Sequence, residues 1–152
     1  VGTVWRLVQE KYADTAFSGE GSRRAGGRFN HPGTPVVYTS ESLALAELEV
    51  LVNLPTDRLL ANYVAFRANI PEADVETLDP DRLPSNWRDA PAPLSIRAIG
   101  EDWIAASVSV ALRVPSAVVP AEKNVLLNPN HPGMERIEIS GPFDPEVDDR
   151  LW

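Results

Sequence analysis

The sequence predicts an α+β domain with a core of short strands in a mixed or antiparallel sheet. Three observations carry this. Short β-type runs recur through the chain, helix-like apolar patterns occur at only one or two places, and the two do not alternate as regular βαβ units. With 152 residues the chain fits one domain, taken as residues 1–152, and its 43% apolar content can build a core without crosslinks.

Val4 to Val8 reads as the first strand. Residues 10–34 read as loop, because Gly19, Gly21, Gly26, Gly27 and Gly33 interrupt them. Val36-Val37-Tyr38-Thr39 is a short buried strand. Ser40 or Ser42 can cap a helix from Leu43 to about Asn53, with Glu41 near its first turn. Apolar residues wrap nearly all round that helix, so it is expected to be largely buried. Leu54-Pro55 should end it. Tyr63 to Ile70 has strand periodicity, with Val64, Phe66, Ala68 and Ile70 on one face.

Residues 71–95 hold five prolines and read as an irregular connection around a short strand at Val75–Leu78. Ile96 to about Ser109 is the second helix, with Trp103 and Ile104 facing inward. Leu112-Arg113-Val114 and Ala117-Val118-Val119 read as strand on either side of Pro115-Ser116. Val125-Leu126-Leu127 and Arg136-Ile137-Glu138-Ile139 complete the strands. Pro142 to Trp152 is turn-rich and ends in an aromatic.

The formal net charge is −8 and the isoelectric point lies near 4.7. A duplex-binding surface needs a basic footprint, so direct nucleic-acid binding is not expected. Acidity suits a basic partner and also keeps a protein soluble. There is no cysteine, which removes disulfides, thiol nucleophiles and thiolate metal sites and fits a reducing cytoplasm. His31 and His131 have no metal-ligand spacing, and no metal site is read. No secretory leader or membrane span is read, since runs such as Val50-Leu51-Val52 are too short to cross a bilayer. The chain opens on Val1 rather than methionine, which leaves its native start unread.

Several residues admit both a chemical and a plain structural reading. Gly26-Gly27-Arg28-Phe29-Asn30 would let backbone approach a ligand while Arg28 grips a phosphate, or is a surface loop with a solvated arginine. Arg6, between Trp5 and Leu7, points into a cleft or outward. Glu47 and Glu49 lie about 200° apart around their helix, so they cannot share a face. Ser116 either donates to a ligand or makes a local turn bond. Asn128-Pro129-Asn130-His131-Pro132 is a plain turn or a turn whose asparagine and histidine edge a binding site. Tyr38 is a core aromatic or stacks on a planar ligand.

In order, Trp5-Arg6, Phe17-Ser18-Gly19-Glu20-Gly21, Gly26 to Asn30, Gly33 to Tyr38, Ala46 to Val52, Val114-Pro115-Ser116 and the Asn128-Pro129 with His131-Pro132 run resemble the RES-domain family. That family takes its name from an arginine, a glutamate and a serine. The resemblance implies a fold like that of the ADP-ribosyltransferase toxins. It also implies a toxin that consumes NAD⁺ as substrate, with no separate cofactor, and a cognate antitoxin of the Xre helix-turn-helix type. It carries over onto Arg6, Arg28, Tyr38, Glu49 and Ser116, with catalysis expected of Glu49, Arg28 and Ser116 and substrate binding of Arg6 and Tyr38, and it selects Glu49 over Glu47. Asn30 and Asn128 join them as substrate-binding candidates. Three positions depart from the usual pattern: Phe29 in place of tryptophan, Asn53 in place of histidine, and Leu7 where some members have tyrosine.

The implied chemistry suits these residues. Cleaving the nicotinamide–ribose bond expels a cationic leaving group and develops oxocarbenium character on ribose. Arg6 and Arg28 suit a pyrophosphate, and Glu49 suits the developing cation. The acceptor (water, phosphate or protein) stays open, so hydrolysis or phosphorolysis of NAD⁺ stands beside protein ADP-ribosylation. A non-catalytic partner-binding module with the same fold is the third reading.

Overall fold

A computed structural model describes residues 2–54, 60–148 and 150. The expected helix stop at Pro55 and the terminal Trp152 lie outside the described residues. In chain order the elements are β1 (Gly2–Gln9), α1 (Glu20–Ala25), β2 (Val37–Ser40), α2 (Leu43–Leu51), β3 (Tyr63–Ile70), β4 (Val75–Thr77), α3 (Leu94–Ala106), β5 (Ala111–Pro115), β6 (Lys123–Leu127) and β7 (Glu138–Phe143). Short 3-10 turns cover Glu10–Thr15, Glu72–Asp74, Pro80–Arg82 and Pro132–Arg136.

The strands form one mixed sheet in the order β4-β5-β6-β2-β1-β3-β7. β4 and β5 run parallel, and every other neighbouring pair is antiparallel. This is the α+β class that the sequence predicts. β1 pairs with β3 along its whole length, but it meets β2 at one register pair, Trp5 opposite Ser40. The sheet is therefore two blocks joined at a narrow seam.

Strand alternation sorts the core. One face carries Val4, Val37, Ala68, Val125 and Leu127. On the opposite face α3 sets Ile96, Ile99 and Trp103 over Leu112, Val114 and Leu126. Beside it α2 sets Leu43, Val50 and Leu51 over Leu7 and Ala65. The two helices thus flank the seam on the same side.

Several local expectations change. Residues 10–34 are not all loop, because Glu20–Ala25 forms α1. Gly19 (φ 73°) and Gly26 (φ 76°) bound it in left-handed backbone, so these glycines delimit a helix rather than prevent one. α2 is capped by Ser42, whose Oγ accepts from Leu45 N at 3.0 Å. Only Leu45 and Ala46 of α2 are buried, and Leu48 is exposed, so the helix is half-buried rather than enclosed. α3 starts earlier than expected, after Pro93, and stops at Ala106, where Ser107 turns left-handed. Trp103 faces inward as read, while Ile104 is half-buried.

Ala117-Val118-Val119 is not a strand. The Ser116 hydroxyl accepts from the amides of Val118 and Val119 and closes a turn there. Arg136 belongs to a 3-10 turn, β7 begins at Glu138, and Pro142 and Phe143 extend it. None of the described helices is long and apolar enough to cross a membrane.

Candidate active site

Ser40 and Asn124 are direct partners across β2 and β6, on the face covered by α2 and α3. Ser40 Oγ donates to Asn124 Oδ1 at 2.7 Å. Asn124 Nδ2 in turn donates to Glu49 Oε2, and Ser116 Oγ donates to the same oxygen at 2.8 Å. α2 thus hangs Glu49 over the end of β6, and the turn after β5 supplies Ser116. Two donors leave Oε2 fixed and Oε1 without a protein partner among the described residues. The single carboxylate is half-buried, held in place and faced by no cation among the described ion pairs.

Ser116 is fully buried. Its hydrogen goes to Glu49 and its lone pairs take two turn amides, so no group is left for a ligand. In this structure Ser116 closes its own turn and positions Glu49 from behind. Asn124, which does the same from the sheet, had no signal in the sequence. An Asn-Val-Leu-Leu strand start is unremarkable until Ser40 and Glu49 are seen beside it.

Tyr38 lies two residues before Ser40 and shares its face. Its hydroxyl donates to Asn30 Oδ1 and accepts from Phe29 N at 3.0 Å. Burial, the first cause, pushes the phenol well above its ordinary range. The ring, not the hydroxyl, remains available. Asn30 is fully buried, and its Nδ2 donates to the carbonyls of Ser22, His31 and Thr34. Both polar atoms of Asn30 are occupied within the protein, so it shapes the glycine-rich loop. Gly27 permits this packing, since a Cβ there would lie 2.5 Å from the Tyr38 hydroxyl.

Arg28 is no mobile loop residue. Its NH1 donates to the carbonyls of Trp87 and Asp89, each at 3.0 Å, which ties the glycine-rich segment to the proline-rich connection. Phe29 beside it donates its amide to the Tyr38 hydroxyl, and Trp87 packs with Tyr38 on the cluster under α3, so Arg28 lies on the face of the sheet that carries Glu49. Arg6 alternates with Trp5 and Leu7, so it leaves β1 on the face opposite Glu49 and turns in at the seam: Nε donates to Ala16 O, and NH1 donates to Tyr38 O at 2.9 Å. Burial lowers its pKa to about 10, so it remains cationic at neutral pH. Neither arginine is paired with a carboxylate among the described residues, although acids outnumber bases in the chain. Cations held by carbonyls keep their charge available to an anion.

Asn128 is the outlying candidate. It sits past the far end of β6 from Asn124, nearly buried, and its Oδ1 accepts from Asn130 N in a turn. In this structure its Oδ1 serves that turn, at the other end of β6 from Asn124. Glu47 makes no hydrogen bond among the described residues and is half-buried, and burial raises its pKa. Phe29 and Leu7, two of the positions that depart from the resemblance, are buried core residues. Asn53 donates to the Glu49 carbonyl and supports the end of α2. Glu49 lines neither of two surface grooves, one around Gln9 and Asn62 and the other around Trp87, Pro115, Pro120 and Lys123, of which Pro115 and Lys123 are next in sequence to the Glu49 supports Ser116 and Asn124.

The chain is 45% identical over 127 residues to the Toxin Res of Photorhabdus laumondii, covering 83% of this chain and 81% of that one. It is 35% identical over 149 residues to the Toxin Res of Yersinia enterocolitica, covering 95% and 98%. A Sphingobium protein named Prs ADP-ribosylating toxin is 34% identical over 141 residues, covering 90% and 88%. Among solved structures, a chain of the M. tuberculosis MbcT–MbcA toxin–antitoxin complex superposes with a TM-score of 0.75 at 20% identity, covering 99% of this chain and 88% of that one. That superposition establishes the shared fold. The RES domain model matches residues 3–149, and the chain belongs to the RES-domain family.

Proposed function

We propose that this protein is the toxin of a toxin–antitoxin pair and that it consumes NAD⁺ by breaking the nicotinamide–ribose bond. The observation that carries this is the Glu49 carboxylate, fixed by Ser116 and Asn124 on the same sheet face as Arg28 and the Tyr38 ring. The leaving group is already cationic, so the demand on the enzyme is to hold the dinucleotide and stabilise positive charge on ribose. Arg28 supplies charge-assisted donors for the pyrophosphate, and Arg6 adds its charge from the other face through the seam, where β1 and β2 meet at one register pair. The Tyr38 ring packs against a planar or sugar group, and Glu49 faces the developing cation or orients the acceptor. Ser116 and Asn124 hold the carboxylate and do not touch the substrate.

Protein ADP-ribosylation is the second reading, favoured by the name of the Sphingobium relative. The bond broken is the same, and the acceptor differs. The partner in this reading is an Xre-type helix-turn-helix antitoxin that covers the site and makes the DNA contacts, with basic groups that complement the net charge of −8.

The test is an NAD⁺ consumption assay on purified protein, with and without phosphate, with products identified by mass. ADP-ribose indicates hydrolysis, and ADP-ribose 1″-phosphate indicates phosphorolysis. Label transferred to protein indicates the second reading. No loss of NAD⁺ and no label overturns both.

A further inference from the structure

α3 carries a polar pair that the mechanism above does not use. Arg97 and Glu101 lie one turn apart, with Gly100 between them on the same face. Gly100 is where the helix presses on the glycine-rich segment, since a Cβ there would lie 1.8 Å from Phe29 O. The pair therefore flanks the contact next to Arg28. Phe29 also donates its amide to the Tyr38 hydroxyl at 3.0 Å, so this contact links the helix to the Tyr38 side chain.

Their hydrogen bonding is incomplete in a complementary way. Thr34 Oγ1 donates to Glu101 Oε1 at 2.8 Å and fixes the carboxylate. Glu101 Oε2 is shielded from solvent with no partner, and so is Arg97 Nε. The two groups do not pair with each other. One orphan is a donor and the other an acceptor, about 6 Å apart at their Cβ atoms in helical geometry.

A phosphate offers only acceptors, so it would serve Arg97 and face repulsion from Glu101. A nucleoside offers a donor and an acceptor side by side, on the base edge or the ribose diol. We propose that Arg97 and Glu101 read the nucleoside part of the dinucleotide, with Arg97 Nε donating to it and Glu101 Oε2 accepting from it. This rests on the NAD⁺ reading above.

The experiment is calorimetric titration of wild type, Glu101→Met, Glu101→Gln and Arg97→Met with ADP-ribose, nicotinamide mononucleotide and inorganic pyrophosphate. Glu101→Met should weaken at least one nucleoside probe about tenfold, the loss of a hydrogen bond to a charged group. Glu101→Gln, which keeps an acceptor, should recover most of it, and pyrophosphate should bind Glu101→Met no more weakly than wild type. The responding probe tells the adenosine half from the nicotinamide half. Unchanged nucleoside affinity in folded Glu101→Met and Arg97→Met overturns the proposal, as does equal weakening of pyrophosphate. If Glu101→Met does not fold, Arg97→Met and Glu101→Gln decide the matter. Wild-type protein that turns over NAD⁺ while the variants bind normally refutes this pair alone; wild-type protein that neither binds nor consumes NAD⁺ refutes the reading beneath it.

Discussion

Ser116 Oγ donates to Glu49 Oε2 at 2.8 Å across 67 positions of sequence. The bond joins the turn after β5 to the inner side of α2, and Asn124 meets the same oxygen from β6. A carboxylate held by two donors from two elements has little freedom, which is what stabilising a charge at a defined point requires.

The first prediction concerns those donors. Asn124→Ala removes one support of Glu49 and leaves the turn at Ser116 intact. NAD⁺ turnover should fall about tenfold in kcat with KM little changed, because substrate binding does not involve Asn124. Ser116→Ala also frees the amides of Val118 and Val119, so it should lower stability as well, by about 1–3 kcal/mol. Steady-state kinetics and urea denaturation of both variants check this. A rise in KM alone for Asn124→Ala would place that residue against the substrate instead.

The second prediction concerns close packing. Gly100→Ala would put a Cβ 1.8 Å from Phe29 O, and backbone cannot yield that far without moving α3 off the sheet. The variant should lose at least about 3 kcal/mol or fail to fold. Gly21→Ala, where nothing stands within 4 Å, is the control and should melt near wild type. Circular dichroism melts of the two variants make the comparison.

How much of this was legible in the sequence depends on the range of the interactions. β3 and β6 are alternating or apolar runs, and local pattern finds them. α1 is hidden because Gly19 and Gly26 look like breakers, and only the chain geometry shows that they are its ends. Ala117 to Val119 has strand composition, but the Ser116 hydroxyl captures its amides and bends it. In the site, Glu49 and Arg28 follow from motif resemblance. The inward roles of Asn30 and Ser116 do not, because a saturated buried side chain and a ligand-binding one are the same letter. Asn124 was invisible, since its meaning comes from Ser40 across the sheet and Glu49 above it.

The third prediction concerns Arg6. Its guanidinium bonds two carbonyls, Ala16 O and Tyr38 O, from one side chain. Arg6→Lys keeps the charge but offers a point donor in place of a planar fork, so it cannot hold both carbonyls in the same geometry. KM for NAD⁺ should rise about tenfold, and Arg6→Met should raise it further by removing the charge. Increasing salt should weaken substrate binding to wild type more than to Arg6→Met. Equal salt dependence of the two would remove Arg6 from the anion site.

The last prediction separates the two glutamates of α2. Glu49→Gln keeps shape but removes the charge that would face the oxocarbenium-like ribose, and turnover should drop about 10²–10³-fold. Glu47 has the opposite signature: no hydrogen bond among the described residues, and a carboxyl whose pKa burial pushes up from 4.5. A raised native pKa means that the folded state binds more protons than the unfolded one just above 4.5. Stability then falls as pH rises through that window, and the ionised form is disfavoured at neutral pH. Glu47→Gln should therefore melt at or above wild type at pH 7, with the difference shrinking toward pH 4, and should leave turnover nearly intact. Melting curves across that pH range and NAD⁺ assays on the same preparations test both halves. Loss of turnover in folded Glu47→Gln with full activity in Glu49→Gln would transfer the catalytic role to Glu47.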